Sequence, residues 1–171
     1  MSTSQQTSQI CLSDPLRPLT TSPAKTSEPA LRTADVLLVD DDDGDVLLIT
    51  EAFERFGTPA ALHVAGDGEQ ALQFLHRTGG FISAPRPGLV LLDLNLPRRA
   101  GLEVLADVKS DPELRSIPVV ILTTSQAEDD IARSYSMHAN AYVAKPVDFD
   151  RFSDAVRQIN NFFLTLAKLP D

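Results

Sequence analysis

Basic residues, cysteine and long apolar runs are all scarce in this sequence, and each shortage removes a class of function. Fifteen Lys and Arg stand against 24 Asp and Glu, for a formal net charge of -9. Gripping nucleic-acid phosphates needs clustered cations. The chain offers only the doublet Arg98-Arg99, which reads as a solvated loop or a minor partner contact. No nucleic-acid partner is expected. The single cysteine, Cys11, leaves no intramolecular disulfide and no cysteine-built zinc site, which fits a reducing compartment, and redox chemistry is not expected. No apolar stretch approaches the roughly 20 residues of a membrane span, and the start MSTSQQTSQI lacks the basic flank and apolar run of a secretory signal. The expected location is the cytoplasm, with no membrane partner. Gly66, Gly68, Gly79 and Gly80 do not make a nucleotide loop, because no strand-to-helix turn carries G-x-G-x-x-G. His63, His76 and His138 lie too far apart for a local ligand motif and read as structural or surface residues.

What remains is a 171-residue chain, 43% hydrophobic, with enough apolar material for one ordinary core. Residues 1–34 are rich in Ser, Thr, Pro and Gln and follow neither a helical nor a strand period. Few large apolar groups offset the entropy of ordering them, so they read as a disordered tail. The folded domain is expected over 35–169, with no output domain after it.

Within that domain, short apolar runs alternate with amphipathic stretches. VLLV (36–39), ALHVA (61–65), GLVLLD (88–93), IPVVILT (117–123) and NAYVAK (140–145) read as strands. The first, third and fourth are nearly unbroken apolar runs, as strands buried on both faces of a parallel sheet are. Between them, Val46, Leu47, Ile49, Thr50, Phe53 and Phe56 recur at roughly helical spacing, as do Ala71, Leu72 and Leu75, and Leu102, Leu105 and Val108. The segment TGGFISAPRPG (78–88) reads as a long loop. Repeated strand-then-helix units predict an α/β fold: an open parallel sheet with helices on both faces and right-handed crossovers.

In such a sheet the functional crevice lies at the carboxyl ends of the strands, where strand order reverses. The polar residues ending the predicted strands are Asp40 and Asp41, Asp93, Thr123 and Lys145. Three acids, a hydroxyl and an ammonium therefore meet on one rim. The acids supply the oxygens that Mg²⁺ prefers while leaving room for water and a phosphoryl oxygen. Thr123 suits a hydrogen bond to that oxygen, and Lys145 suits its charge. A carboxylate is a weak nucleophile, yet it attacks phosphorus in line once a metal and an ammonium neutralise the incoming dianion. Asp93, after the central run VLL, is the candidate nucleophile.

These residues carry a resemblance. The order DD, then DLNLP with a Gly four residues beyond the Pro, then Thr, then Tyr-x-x-Lys-Pro resembles the receiver domain of two-component response regulators. It covers about residues 35 to 167. The resemblance implies a flavodoxin-like sheet of order 2-1-3-4-5. It implies that Asp93 accepts a phosphoryl group from a sensor histidine kinase, with Mg²⁺ bound by Asp40, Asp41, Asp93 and the backbone carbonyl of Asn95. Thr123 and Tyr142 would be the switch pair, Lys145 would pair with the phosphoryl group, and the Lys145-Pro146 bond would be cis. Thr-Thr-Ser at 123–125 and the long loop before the third strand are similar to stand-alone receivers associated with phytochrome-type kinases, which makes such a kinase the candidate partner. The sequence departs from the pattern in running four aspartates together, Asp40 to Asp43.

Taken alone, that acidic run reads as a solvated helix start favoured by the helix dipole. The corresponding reading of the whole set is a degenerate receiver, an interaction module that is not phosphorylated. A flavin-binding flavodoxin is disfavoured because DDDDGD would repel the flavin phosphate. An aspartyl phosphotransferase or phosphatase is disfavoured because Asn95 stands where its acid/base partner would be. The expectation is thus no enzyme with a separate substrate. In the last helix, Phe149, Phe152, Val156, Ile159 and Phe163 are expected to face the sheet. A second stripe, Ala155, Ile159, Phe162, Leu166 and Leu169, steps like a helix-packing seam and is the candidate contact of a homodimer.

Overall fold

The computed structural model describes residues 34–57 and 60–168. The tail read at 1–34 lies outside the described residues except for Ala34, and Leu169 lies outside them too. Five strands form one parallel sheet: β1 (Ala34–Val39), β2 (Ala60–Ala65), β3 (Leu89–Leu92), β4 (Val119–Thr123) and β5 (Ala141–Ala144), in the order β2-β1-β3-β4-β5. Five α-helices accompany them: α1 (Asp43–Arg55), α2 (Gly68–His76), α3 (Gly101–Ser110), α4 (Glu128–Ser136) and α5 (Phe149–Asn160). The expected flavodoxin-like order is the one found.

The unbroken apolar runs are explained by two-sided burial. Leu37, Val39, Val90, Leu92, Val119 and Ile121 pack on one face with Ala71 and Leu75 of α2 and Val104, Leu105 and Val108 of α3. Their alternate neighbours Val36, Leu38, Leu89, Leu91, Val120 and Leu122 pack on the other with Ile49 and Phe53 of α1 and Phe152, Val156 and Ile159 of α5. Each such side chain contributes roughly 1.5–3 kcal/mol by leaving water. That packing holds the strand ends, and hence the residues just beyond them, in place.

Helix starts are fixed by aspartates. Asp42, Asp67 and Asp148 cap α1, α2 and α5, accepting the backbone N–H of Asp45 at 2.9 Å, Gln70 at 2.8 Å and Arg151 at 3.0 Å. Glycine matters most at Gly101. A side-chain carbon there would overlap the Asp93 carbonyl oxygen and the Leu94 Cα. Only glycine lets α3 begin against the loop that follows Asp93.

Four features depart from the sequence reading. The 78–88 loop contains a 3-10 turn, Gly79–Phe81, because the Phe81 ring packs edge-on against Phe74, with centroids 5.6 Å apart. Phe149 is exposed, since sheet contact in α5 begins with Phe152, one turn further in. After α5 the chain continues as a π-helix, Asn161–Leu166. Its wider turn shifts the phase of the apolar stripe. Ile159, at the end of α5, is buried in the chain's own core, while beyond it Phe162 and Leu166 are 56% and 69% exposed. Finally, no peptide bond among the described residues is cis, so Lys145-Pro146 is trans, the isomer an X-Pro amide favours by about 0.5–1 kcal/mol. Among the described residues no helix is long and apolar enough to cross a membrane.

Candidate functional site

The strand order reverses between β1 and β3, and their carboxyl ends deliver Asp40 and Asp93 side by side, 2% and 6% exposed. Lys145, one residue past β5, reaches across β4 to both. Its Nζ lies 2.6 Å from Asp40 Oδ2 and 2.8 Å from Asp93 Oδ2. A third carboxylate joins them, Asp45 of α1, with Oδ2 at 2.7 Å. An ammonium has three N–H donors. Here each has its own carboxylate.

The second oxygens of the two buried acids are also engaged. Asp40 Oδ1 accepts the Asp42 N–H at 3.0 Å, and Asp93 Oδ1 accepts the Asn95 N–H at 3.0 Å. Thr123, fully buried at the end of β4, has its Oγ1 3.5 Å from Asn95 Nδ2 and 3.4 Å from the Ser125 N–H. The Tyr142 hydroxyl donates to the Ser125 carbonyl at 2.9 Å, and Ser125 Oγ donates to Asp130 at 2.6 Å. Ser125 thus stands between the Thr123 and Tyr142 side chains.

Three carboxylates share one cation, so the cluster is short of positive charge. Burial alone would raise the Asp93 carboxyl, but the Lys145 hydrogen bond, the Asn95 N–H and the Thr123 hydroxyl outweigh it and hold the group below the usual carboxylate value. Asp40 goes the other way, pushed up first by burial, with the Asp93 charge adding to the rise against the pull of Lys145. Burial works against the Lys145 ammonium, yet its three carboxylates keep it protonated well above the ordinary lysine range. Burial also raises the Tyr142 hydroxyl. An ionised Asp93 beside a permanent cation has the makings of a nucleophile awaiting an anionic electrophile.

The acidic run divides its labour. Asp40 is in the buried site, Asp42 caps α1, and Asp41 and Asp43 are exposed. The expected metal set is not preassembled: among the described residues no three His, Cys, Asp or Glu side chains make a ready metal centre. Lys145 has drawn Asp40, Asp45 and Asp93 onto its own ammonium, while Asp41 and Asn95 are exposed. The donor chemistry still suits Mg²⁺, which takes one or two carboxylates and keeps several waters. Asp45 and Ser125 are the residues that sequence reasoning missed. Asp45 carries one legible signal, its place three residues after a capping aspartate; Ser125 carries none beyond its closeness to Thr123. Two of the histidines pair with acids, His63 bonded to Asp35 at 2.8 Å and His76 3.8 Å from Asp111. The arginine doublet is spent on Asp67 and Asp107, at 3.2 and 2.6 Å.

Residues 36–157 match the family model of the response regulator receiver domain. Response regulator Rcp1 of Synechocystis sp. is 42% identical over 135 residues, covering 79% of this chain and 92% of that protein. The crystal structure of the Mn(2+)-bound form of Rcp1 superposes with a TM-score of 0.78 at 40% identity, covering 81% of this chain and 99% of that one. That of the phosphorylated cyanobacterial phytochrome response regulator RcpA gives 0.79 at 42% identity, with the same coverage. Fold and sequence agree, and the chain belongs to the response regulator receiver domain family.

Proposed function

We propose that this chain is a phosphorylation-switched response regulator whose acceptor is Asp93. The observation that carries the reading is the Lys145 ammonium held between the buried carboxylates of Asp40 and Asp93 at the reversal of strand order. An Asp93 oxygen attacks phosphorus in line, and the P–N bond of a phosphohistidine breaks, leaving the donor imidazole. Lys145, freed from part of its carboxylate load, pairs with the new phosphoryl oxygens. Mg²⁺, held by Asp40, Asp93, Asp41 and the Asn95 carbonyl, would neutralise charge on the transferring group. Its place is supported by the charge deficit around Lys145 and by the existence of a Mn(2+)-bound Rcp1.

The kinase partner follows from the relatives. Because RcpA is a phytochrome response regulator, a phytochrome-type histidine kinase is the proposed donor, and the cytoplasm the proposed place. The protein acts on no separate substrate. Thr123 and Tyr142 serve as the switch, a role supported by the chain Thr123–Ser125–Tyr142 leading from the site toward α4. A homodimer through the C-terminal segment is supported by the exposed Phe162 and Leu166.

Intact mass after incubation with acetyl phosphate and Mg²⁺ tests the acceptor. One added phosphoryl group in the wild type, absent without Mg²⁺ and absent in Asp93→Asn, is expected. No adduct under any condition would overturn the reading.

A further inference from the structure

Asp45 is held in an unusual way for an acid at its place in a helix. It stands three residues after the capping Asp42, the position from which a Glu or Gln side chain reaches back to the cap's own backbone N–H. Here that N–H is already donated to Asp40 Oδ1 at 3.0 Å. The usual partner of the Asp45 carboxylate is taken. Asp45 turns instead to the Lys145 ammonium at 2.7 Å, with its own backbone N–H fixed by Asp42 at 2.9 Å. Its side chain is 27% exposed, against 1% and 8% for those of Asp40 and Asp93. It comes from α1, whereas the other two follow strand ends.

From this arrangement we infer that Asp45 is a positioning residue, the carboxylate that keeps the Lys145 ammonium aimed at the phosphoryl site throughout the phosphorylation cycle. The inference rests on the reading of Asp93 as phosphoacceptor. In the resting protein three carboxylates share the ammonium. Once Asp93 is phosphorylated, one of its oxygens bonds phosphorus and the group is no longer a carboxylate anion, and Asp40 is wanted by the divalent cation. Asp45 is the one of the three that neither change engages. Without it, a flexible four-carbon side chain with three rotatable donors loses its remaining fixed acceptor as the dianion arrives. A charge-assisted hydrogen bond that sets geometry in this way acts on the rate of transfer and leaves donor binding alone.

Four proteins separate this from other roles: wild type, Asp45→Ala, Asp45→Asn and the control Asp43→Asn. Asp43 is an exposed acid in the same helical turn, so its variant removes a nearby charge without touching the site. Phosphorylation by acetyl phosphate with Mg²⁺ is followed by intact mass over a range of donor concentrations. The expected result is a maximal rate at least about tenfold lower in Asp45→Ala, with half-saturating donor unchanged. Asp45→Asn keeps an acceptor oxygen and should stay within about threefold of the wild type, as should Asp43→Asn. A wild-type rate in Asp45→Ala, or an equal change in both Asp45 variants, would overturn the inference, the latter because charge alone would then explain it.

A second readout needs no phosphorylation. The chain has only four lysines, Lys25, Lys109, Lys145 and Lys168, so the Lys145 ammonium is assignable by ¹⁵N NMR through its loss in Lys145→Ala. In Asp45→Ala its protons should exchange with water at least about tenfold faster, with wild-type exchange restored by Asn. Unchanged exchange would sink the inference. A wild type that takes no phosphoryl group would instead sink the reading of Asp93, leaving the NMR result to decide whether Asp45 holds Lys145.

Discussion

Replacing Lys145 by alanine should make the site's contribution to stability fall as pH rises. In the wild type, Asp93 has a lowered folded-state value, so its contribution is present above the ordinary carboxylate range and is lost on acidification. Asp40 is raised, so its contribution runs the opposite way. Removing Lys145 deletes the main lowering influence on both. Burial then raises Asp93 as well as Asp40, and the folded variant binds more protons than the unfolded chain. Its stability must fall as pH rises.

The magnitude has a natural ceiling. A buried carboxylate destabilises the fold by no more than it would cost to protonate it, because protonation is always open to it. For each group of ordinary value near 4, that is about 4 kcal/mol at pH 7 and about 1 to 2 kcal/mol at pH 5, and Asp93 is the one that the loss of Lys145 newly raises. This agrees with the roughly 3–5 kcal/mol found when one partner of a buried ion pair is removed. Asp45 adds little, being partly solvated. Urea unfolding followed by circular dichroism, suited to a chain without tryptophan, should show Lys145→Ala about 4 kcal/mol less stable than wild type at pH 7. The gap should shrink to about half or less at pH 5. A variant as stable as the wild type at pH 7, or a gap constant with pH, would mean that the cluster is solvated and the reasoning wrong.

Tyr142→Phe removes the hydroxyl bonded to the Ser125 carbonyl and should cost about 0.5–1.5 kcal/mol in urea unfolding. It should leave the extent of Asp93 phosphorylation by acetyl phosphate unchanged, since the hydroxyl is bonded to the loop and to none of the three carboxylates. In light scattering, wild type should have twice the mass of Phe162→Asp/Leu166→Asp, because the two exposed side chains beyond α5 are the anchors left for a second copy. A monomeric wild type would remove the dimer.

The strands themselves were legible because burial on both faces leaves a plain mark, whereas their order came only with the receiver resemblance. Val36 to Val39 and Leu89 to Leu92 have no polar alternation to give, and each is followed at once by the aspartate that ends the strand. The end of α5 was not legible, because the stripe from Ala155 to Leu169 was read with a constant turn. Ile159, still in α5, faces the core as the first stripe expects, but the wider turn from Asn161 on leaves Phe162 and Leu166 outward, and nothing in the residues from Asn160 on announces it. Periodicity locates a helix face only as long as the period holds.

For the site, strand ends identified Asp40, Asp93, Thr123 and Lys145, since residues that follow buried strands have little freedom in where they go. Asp45 escaped because its role depends on a competition that a linear reading does not contain. An acid three residues after an N-cap has a default partner, the cap's N–H, and reads as part of a helix start. Here Asp40, at the end of β1, takes that N–H, and the shorter Asp45 turns to Lys145. The second aspartate of such a run is thus exposed, the third becomes a cap, and an acid outside the run completes the shell of Lys145. Which carboxylates of a cluster do chemistry is therefore decided by which backbone donors are already occupied, and a count of acids in the sequence does not decide it.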